Sequence, residues 1–78
     1  MKLKDLLEVC DGYDRIELHS SYGGRIVAST RDSLKKYGEV DVRGVYPRVK
    51  LNTEGTLATP YLHIYGSHYQ INEVKKNA

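Results

Sequence analysis

Histidine and tyrosine are concentrated in one stretch of the chain, TPYLHIYGSHYQINEV, which covers residues 59–74. It contains His63, His68 and three of the seven tyrosines. Side chains of these types could bind a metal, transfer protons or form a recognition surface. A structural zinc site needs four ligands, usually Cys and His in closely spaced pairs. His63 and His68 have four residues between them and no cysteine or carboxylate beside either one, so we expect no metal site.

The other reactive residue types do not form a catalytic pattern. Cys10 falls on the apolar side of the first predicted helix, where cysteine behaves as a small hydrophobic residue. Serine and threonine occur in predicted turns and caps without a nucleophile-elbow motif, and the sequence contains no P-loop. Asp and Glu are concentrated at predicted caps and turns, so we expect no pair of carboxylates positioned for general acid–base catalysis. We therefore expect a protein that is not an enzyme, with no catalytic residues and no cofactor.

Size and composition predict one small domain over residues 1–78, with a polar tail from about residue 75. The single cysteine excludes an internal disulfide, which fits a reducing compartment. The segment MKLKDLLEVC carries charges where a signal peptide would be apolar, and no run approaches the ~20 residues that span a membrane. We expect a cytoplasmic protein without membrane contact. Its net charge of +2 is too small to imply nucleic acid by itself.

The first half of the chain predicts a helix, a hairpin and a second helix. Apolar residues in the first ten positions follow helical spacing, and Asp11-Gly12 is expected to end that helix. The segments DRIELHS and RIVAST alternate as strands on either side of a turn at Gly23-Gly24. A short helix is expected to begin after Ser29 or Thr30 and to end at Gly38.

The second half predicts three further strands. The segment VDVRGVYPRVKL is extended, a four-residue turn at 52–55 leads into TLATPYLHIY, and a Gly66-Ser67 turn leads into HYQINEV. Pro47 indicates an edge strand. The two hairpin registers, chosen separately, place the same apolar residues on one side: Val45, Val49, Leu51, Ala58, Leu62, Ile64 and Ile71. A slip by one residue would scatter this set, so we expect a three-stranded meander.

These elements predict an α+β fold in the order α-β-β-α-β-β-β, with an antiparallel sheet and two short helices on one face. The other face is predicted to bind a partner through Tyr46, Arg48, Lys50, Tyr61, His63, Tyr65, His68 and Gln70. Tyr and Arg are enriched in interface hot spots, and a sheet face of this size can bury a patch of ~800 Å². A protein partner is the preferred hypothesis. Stacking of single-stranded nucleic acid and self-association as a homodimer are the alternatives.

Two segments, KDLLEVCDGYDRIEL and YLHIYG, resemble short α+β proteins that are encoded by phages and integrated elements of Gram-positive bacteria. Such proteins often begin with a KDLLEV helix, pass through an Asp/Asn turn into a first strand and end with an alternating apolar strand. Small phage proteins without enzymatic motifs often bind and block a host complex. The resemblance therefore implies an inhibitor of a host defence complex, such as a CRISPR nuclease, with a self-associating structural protein of a mobile element as the alternative.

Overall fold

Short helices and strands follow one another in the order α-β-β-α-β-β-α in the computed structural model, which describes residues 1–10, 13, 15–22 and 24–77. The helices are α1 (Leu3–Val9), α2 (Arg31–Lys35) and α3 (His68–Lys76). The strands are β1 (Ile16–Ser20), β2 (Ile26–Ala28), β3 (Val42–Leu51) and β4 (Ala58–Gly66). The predicted α+β class is confirmed. The predicted helix end at Asp11-Gly12 and the turn residue Gly23 lie outside the described residues.

The strands form one sheet in the order β2-β1-β4-β3, and the prediction of a purely antiparallel sheet is wrong. The β1–β2 and β3–β4 pairs are antiparallel, but β1 and β4 run parallel, with Ile16 opposite Leu62 and Ser20 opposite Gly66. After β2 the chain passes through α2 to the edge strand β3, so the returning strand β4 fills the position beside β1. This parallel contact decides which polar side chains meet on the sheet.

The predicted last strand is helix α3, so the three-stranded meander is wrong. Ser67 is the residue before the helix, and Lys75 and Lys76 lie in its last turn, where cations interact favourably with the helix dipole. Ile71 is buried and Val74 packs against the same core, three residues further along, which is helical spacing. Ile71 therefore reaches the predicted apolar side of the sheet from a helix instead of a strand.

The core lies between the helices and one face of the sheet. Its buried residues come from every helix, from alternate positions on the central strands β1 and β4, from β2 and from the segment between α2 and β3: Leu3, Leu6, Ile16, Leu18, Ala28, Leu34, Val40, Leu62, Ile64 and Ile71. Helix α2 begins as predicted after Thr30, whose hydroxyl oxygen accepts a hydrogen bond from the backbone N–H of Ser33 at 3.2 Å. Because strand side chains alternate, the residues between the core positions of β1 and β4 point to the opposite face.

The register of β3 against β4 differs by two residues from the prediction. Tyr46 lies opposite His63, where the sequence predicted Tyr61. A shift by an even number of residues keeps every side chain on its own face. The predicted division of these two strands into an apolar side and a Tyr/His side is therefore confirmed, although the predicted partners are wrong.

The shift arises from a longer connecting loop, which spans residues 52–57 where a four-residue turn was predicted. The side-chain oxygen of Asn52 accepts hydrogen bonds from the backbone N–H groups of Thr56 at 2.9 Å and Leu57 at 3.3 Å. The backbone N–H of Asn52 also donates to the carbonyl of Leu57 at 3.0 Å. These bonds give the six-residue loop a fixed shape that favours it over the shorter turn.

Residues 48–61 form a two-stranded extension, called the β-arm below. In the described part of the chain, β1 begins opposite Leu62, so the strands of the β-arm have no third strand beside them. On the helix side of the arm, Val49 and Leu51 are 59% and 66% exposed, and Leu57 in the connecting loop is 62% exposed. The prediction that Val49 and Leu51 share a side with the core residues is right, but the core does not extend this far. Among the described residues, no helix is long and apolar enough to cross a membrane.

Candidate functional site

Most of the predicted binding residues come together on the sheet face that points away from the helices. We call this surface the tyrosine–histidine face and define it by Glu17, His19, Tyr46, Arg48, Lys50, Tyr61, His63 and Tyr65. A row of side chains crosses the sheet here, because Glu17 lies opposite His63 and His63 lies opposite Tyr46. Strand β1 is distant in sequence from the β3–β4 hairpin, so two separate parts of the chain contribute to one surface.

The predicted residues His68 and Gln70 do not lie on this face, because the segment that carries them is helix α3. The Nδ1 atom of His68 is 2.9 Å from the hydroxyl oxygen of Ser20. Gln70 accepts a hydrogen bond from the backbone N–H of Asp41 at 2.5 Å and donates one to its carboxylate at 3.0 Å. Both residues hold α3 against the ends of neighbouring strands, and their prediction as part of the face is wrong in position.

A buried carboxylate, Glu17, lies at the centre of the face and is only 1% exposed. It accepts hydrogen bonds from Arg15 Nε at 2.6 Å, from His19 Nε2 at 3.1 Å and from Lys50 Nζ. Burial alone would raise the pKa of Glu17, but the hydrogen bonds from Lys50, Arg15 and His19 outweigh it and hold the pKa at about 2. Glu17 is therefore a carboxylate at neutral pH, and its charge is balanced by its neighbours.

His19 is fixed by hydrogen bonds at both ring nitrogens. Its Nδ1 is 2.9 Å from the carbonyl oxygen of Gly24, and its Nε2 faces Glu17. Carbonyl and carboxylate oxygens only accept hydrogen bonds, so each ring nitrogen of His19 has an acceptor in front of it. It stacks on the ring of His63, with centroids 3.9 Å apart and 12° between the planes.

His63 is buried and has an unused ring nitrogen. Its Nδ1 lies 3.5 Å from the hydroxyl of Tyr61, and its Nε2 has no hydrogen-bond partner within the described part of the chain. Burial lowers the pKa of His63, and the positive charges of His19 and Arg48 lower it further. The ring is therefore neutral at pH 7, and one of its nitrogens is free to accept or donate.

Aromatic and cationic side chains cover this centre. Tyr61 is only 8% exposed, and the ammonium group of Lys50 lies 4.9 Å from the centre of its ring. Tyr46 is 49% exposed and meets Tyr65 edge-on, with ring centroids 5.8 Å apart, and the Arg48 guanidinium is 5.9 Å from the Tyr46 ring. Solvent therefore reaches Tyr46, Arg48 and Lys50. The side chains beneath them, Glu17, Tyr61 and His63, are buried.

Sequence reasoning missed Glu17 and His19 as members of this site. The alternation of DRIELHS did indicate that both point away from the core. The missing information was the parallel pairing of β1 with β4, which sets Glu17 beside His63. From the sequence, a metal site was considered at His63 and His68. The structure instead places His63 close to His19 and Glu17.

Comparison with known proteins does not assign this chain to a family. No protein-family model matches it, and no curated protein or solved structure matches it either. The resemblance of KDLLEVCDGYDRIEL to short phage proteins therefore stays a prediction. The function has to be inferred from the residues and geometry described above.

Proposed function

We propose that this protein is a non-enzymatic binding module that engages a protein partner through the β-arm. The observation that carries the proposal is the exposure of Val49 and Leu51 on one side of a two-stranded ribbon, with Leu57 exposed in its connecting loop. A two-stranded ribbon alone is at best marginally stable in water. Contiguous apolar side chains on such a projection are typical of a surface that is covered by another protein.

The two sides of the β-arm differ in chemistry, which indicates the kind of partner. One side is apolar, while the other presents Arg48 and Lys50 beside the half-exposed ring of Tyr46. Arg48 forms no ion pair among the described residues, so its charge is available to a ligand. The matching partner surface is an apolar groove with acidic groups along one edge. Arg and Tyr are the residues that most often anchor such contacts.

This proposal changes the roles of the predicted binding residues. Tyr46, Arg48 and Lys50 are the members of the tyrosine–histidine face that a partner can touch directly. Tyr61 and His63 are buried, so they support the surface from beneath. The apolar residues of the arm, which the sequence assigned to the core side, become the main contact area.

Protein binding is preferred over the two alternatives for structural reasons. Stacking of successive nucleic-acid bases needs several open aromatic rings, but Tyr46 is the one exposed tyrosine of the tyrosine–histidine face, and Tyr61 is buried beneath Lys50. Self-association through the longer of the two edge strands would pair β3 with a second copy of itself. Pro47 lies within β3 and has no N–H group, which interrupts such a ladder of hydrogen bonds.

The test compares two matched variants in affinity capture from the native host, followed by binding measurements with the purified partner. Val49→Ser with Leu51→Ser removes the apolar side of the arm, and Val9→Ser with Ile26→Ser removes two exposed apolar residues elsewhere. We expect the arm variant to lose at least about 10-fold in affinity, because it lacks two apolar side chains that the partner would cover in the complex. The control pair should bind as the unmodified protein does.

Equal binding by the two variants would overturn the proposal. Sedimentation across a concentration series tests self-association, because a dimer that the arm variant dissociates would identify a second copy as the partner. The hypothesis of a host defence complex, such as a CRISPR nuclease, rests on the sequence resemblance. The identity of the captured protein decides it.

A further inference from the structure

We propose that Glu17, His19 and His63 form a binding site for a divalent transition metal ion such as Zn²⁺. Each side chain offers a ligand atom, and the three atoms lie within 4.8 Å of one another. Glu17 Oε1 and His19 Nε2 are 3.1 Å apart, close to the spacing of two ligands on a tetrahedral zinc ion with bonds of about 2.0–2.1 Å. All three residues are buried.

The unused nitrogen of His63 points to a ligand independently of this spacing. His63 is 9% exposed, and its Nε2 has no hydrogen-bond partner among the residues that the structure describes. Leaving a polar atom unsatisfied in the interior is unfavourable, so such atoms often have a functional role. A neutral imidazole with a free nitrogen is the form of histidine that binds metals.

Outer hydrogen bonds already orient two of the ligands. His19 donates from Nδ1 to the carbonyl of Gly24, which leaves Nε2 as the nitrogen that faces Glu17. Glu17 uses Oε2 for Arg15 and Lys50, so Oε1 remains on the side of the histidines. Contacts of this kind, from a ligating group to a carbonyl or a charged neighbour, fix ligand orientation in metal sites. A metal ion here would lie between His19 Nε2 and Glu17 Oε1, in place of their hydrogen bond.

Metal binding requires the ring of His63 to turn. A metal lies in the plane of each imidazole that binds it, and two rings stacked at 3.9 Å with 12° between their planes cannot share one ion. We expect His63 to be the ring that turns, because its one hydrogen-bonding contact in the described structure is the 3.5 Å approach to Tyr61, although its ring also packs against Tyr65 with centroids 4.8 Å apart. His19 is held at both nitrogens and stays in place.

The donor set selects the metal and its remaining ligand. Two imidazoles and one carboxylate suit Zn²⁺, Co²⁺, Ni²⁺ or Cu²⁺, whereas Ca²⁺ and Mg²⁺ prefer oxygen ligands alone. Three protein ligands leave one position of a tetrahedral ion open. The positive charges of Arg15, Arg48 and Lys50 around the site weaken the affinity for a cation and favour an anion, such as a carboxylate or hydroxide, in that position.

The test titrates the purified full chain with Co²⁺ and follows visible absorption, with Zn²⁺ as the competitor. We expect one equivalent to bind, and we expect His63→Gln to weaken binding at least about 100-fold. His68→Gln is the matched control, because His68 lies on α3 and should leave the affinity unchanged. Circular dichroism without metal checks that each variant is folded.

NMR of the unmodified protein provides a second measurement that does not depend on a variant. Zn²⁺ should shift the ring signals of His19 and His63 and leave those of His68 in place. The proposal is overturned if the unmodified protein shows no saturable binding, if His63→Gln binds as well as the unmodified protein, or if the His68 signals are the ones that move.

Discussion

Lys50 on the β-arm donates a hydrogen bond to the carboxylate of Glu17, which lies on β1 on the other side of the intervening strand β4. To reach it, the Lys50 side chain crosses the ring of Tyr61, with the ammonium group 4.9 Å from the ring centre. This contact ties the polar side of the arm to the buried charge of the sheet. The opposite side of the arm carries the exposed side chains of Val49 and Leu51, which form the contact area in the proposed function.

The first prediction concerns this link between the arm and the sheet. Lys50→Met keeps the apolar stem over Tyr61 but removes the charge, and we expect a loss of about 0.5–1.5 kcal/mol in the free energy of unfolding. The loss is modest because Lys50 is half-exposed and Glu17 keeps Arg15 and His19 as partners. Urea denaturation followed by circular dichroism measures it.

The matched background for Lys50→Met is Glu17→Gln, which removes the acceptor charge. In that background the substitution at Lys50 should cost almost nothing, so the two effects should not add. Simple additivity would mean that the charge of Lys50 acts through its contact with the Tyr61 ring instead of through Glu17.

The second prediction concerns how the stability of the fold depends on pH through the ion pairs of Glu39 with Lys2 and Lys4. Glu39 accepts hydrogen bonds from Lys2 at 2.5 Å and Lys4 at 2.7 Å, which lower its pKa from 4.5 to about 2. A carboxyl with a lowered pKa stabilises the fold above its unfolded value, and the contribution is lost as the pH falls from about 4.5 to about 2. Glu39→Gln should therefore show a smaller fall in stability with acidification across this window.

Salt provides the control for the Glu39 prediction. The residues of this cluster are exposed, so their interaction is screened at high ionic strength. Denaturation midpoints of the unmodified protein and Glu39→Gln should converge in 1 M NaCl, where the Debye length is about 3 Å. A difference that persists unchanged in salt would contradict an electrostatic origin.

The face of the sheet on which each strand side chain lies could be predicted from the sequence. Which strands lie next to each other could not. Alternation places Ile16 and Leu18 on one face and Glu17 and His19 on the other, whatever strand lies beside them. The parallel pair joins Ile16 to Leu62 across most of the chain, and no turn residue signals such a contact. The composition of the face was therefore predictable in part, while its centre depends on tertiary pairing.

Helix α3 was missed because its short segment fits two periods. In HYQINEV, Tyr69 and Ile71 alternate as in a strand, whereas Ile71 and Val74 follow helical spacing. The core decides between them: Ile71 is buried near Leu18 and Val40, and Val74 packs against the same core. Ser67 before the helix and Lys75 and Lys76 in its last turn are typical of helix ends. They did not decide the prediction, because Gly66-Ser67 also fits a hairpin turn.

The third prediction concerns Gly66, where the end of β4 meets the core. A Cβ atom on this residue would lie 2.9 Å from Val40 Cγ1, 3.0 Å from Leu18 Cδ1 and 3.2 Å from Ile71 Cδ1. Gly66→Ala should therefore lower the free energy of unfolding by about 1–3 kcal/mol through overpacking. Thermal denaturation measures it.

Val40→Ala supplies the control for the overpacking at Gly66, since it removes the nearest of the three atoms. The double variant should be more stable than the sum of the two single losses predicts. Additive losses would show that the alanine at position 66 acts through the backbone instead of through this contact.

The last prediction separates the two tyrosines that differ most in burial on the tyrosine–histidine face. Tyr61 is 8% exposed beneath Lys50, whereas Tyr46 is 49% exposed. Tyr61→Ala should lower the free energy of unfolding by about 2–4 kcal/mol because it leaves a cavity, and Tyr46→Ala should cost less than about 1 kcal/mol. If the partner contacts the face as proposed, Tyr46→Ala should instead weaken partner binding. The opposite result would be that Tyr46→Ala lowers the stability and Tyr61→Ala weakens only the binding. It would mean that Tyr61 is accessible to solvent and to the partner.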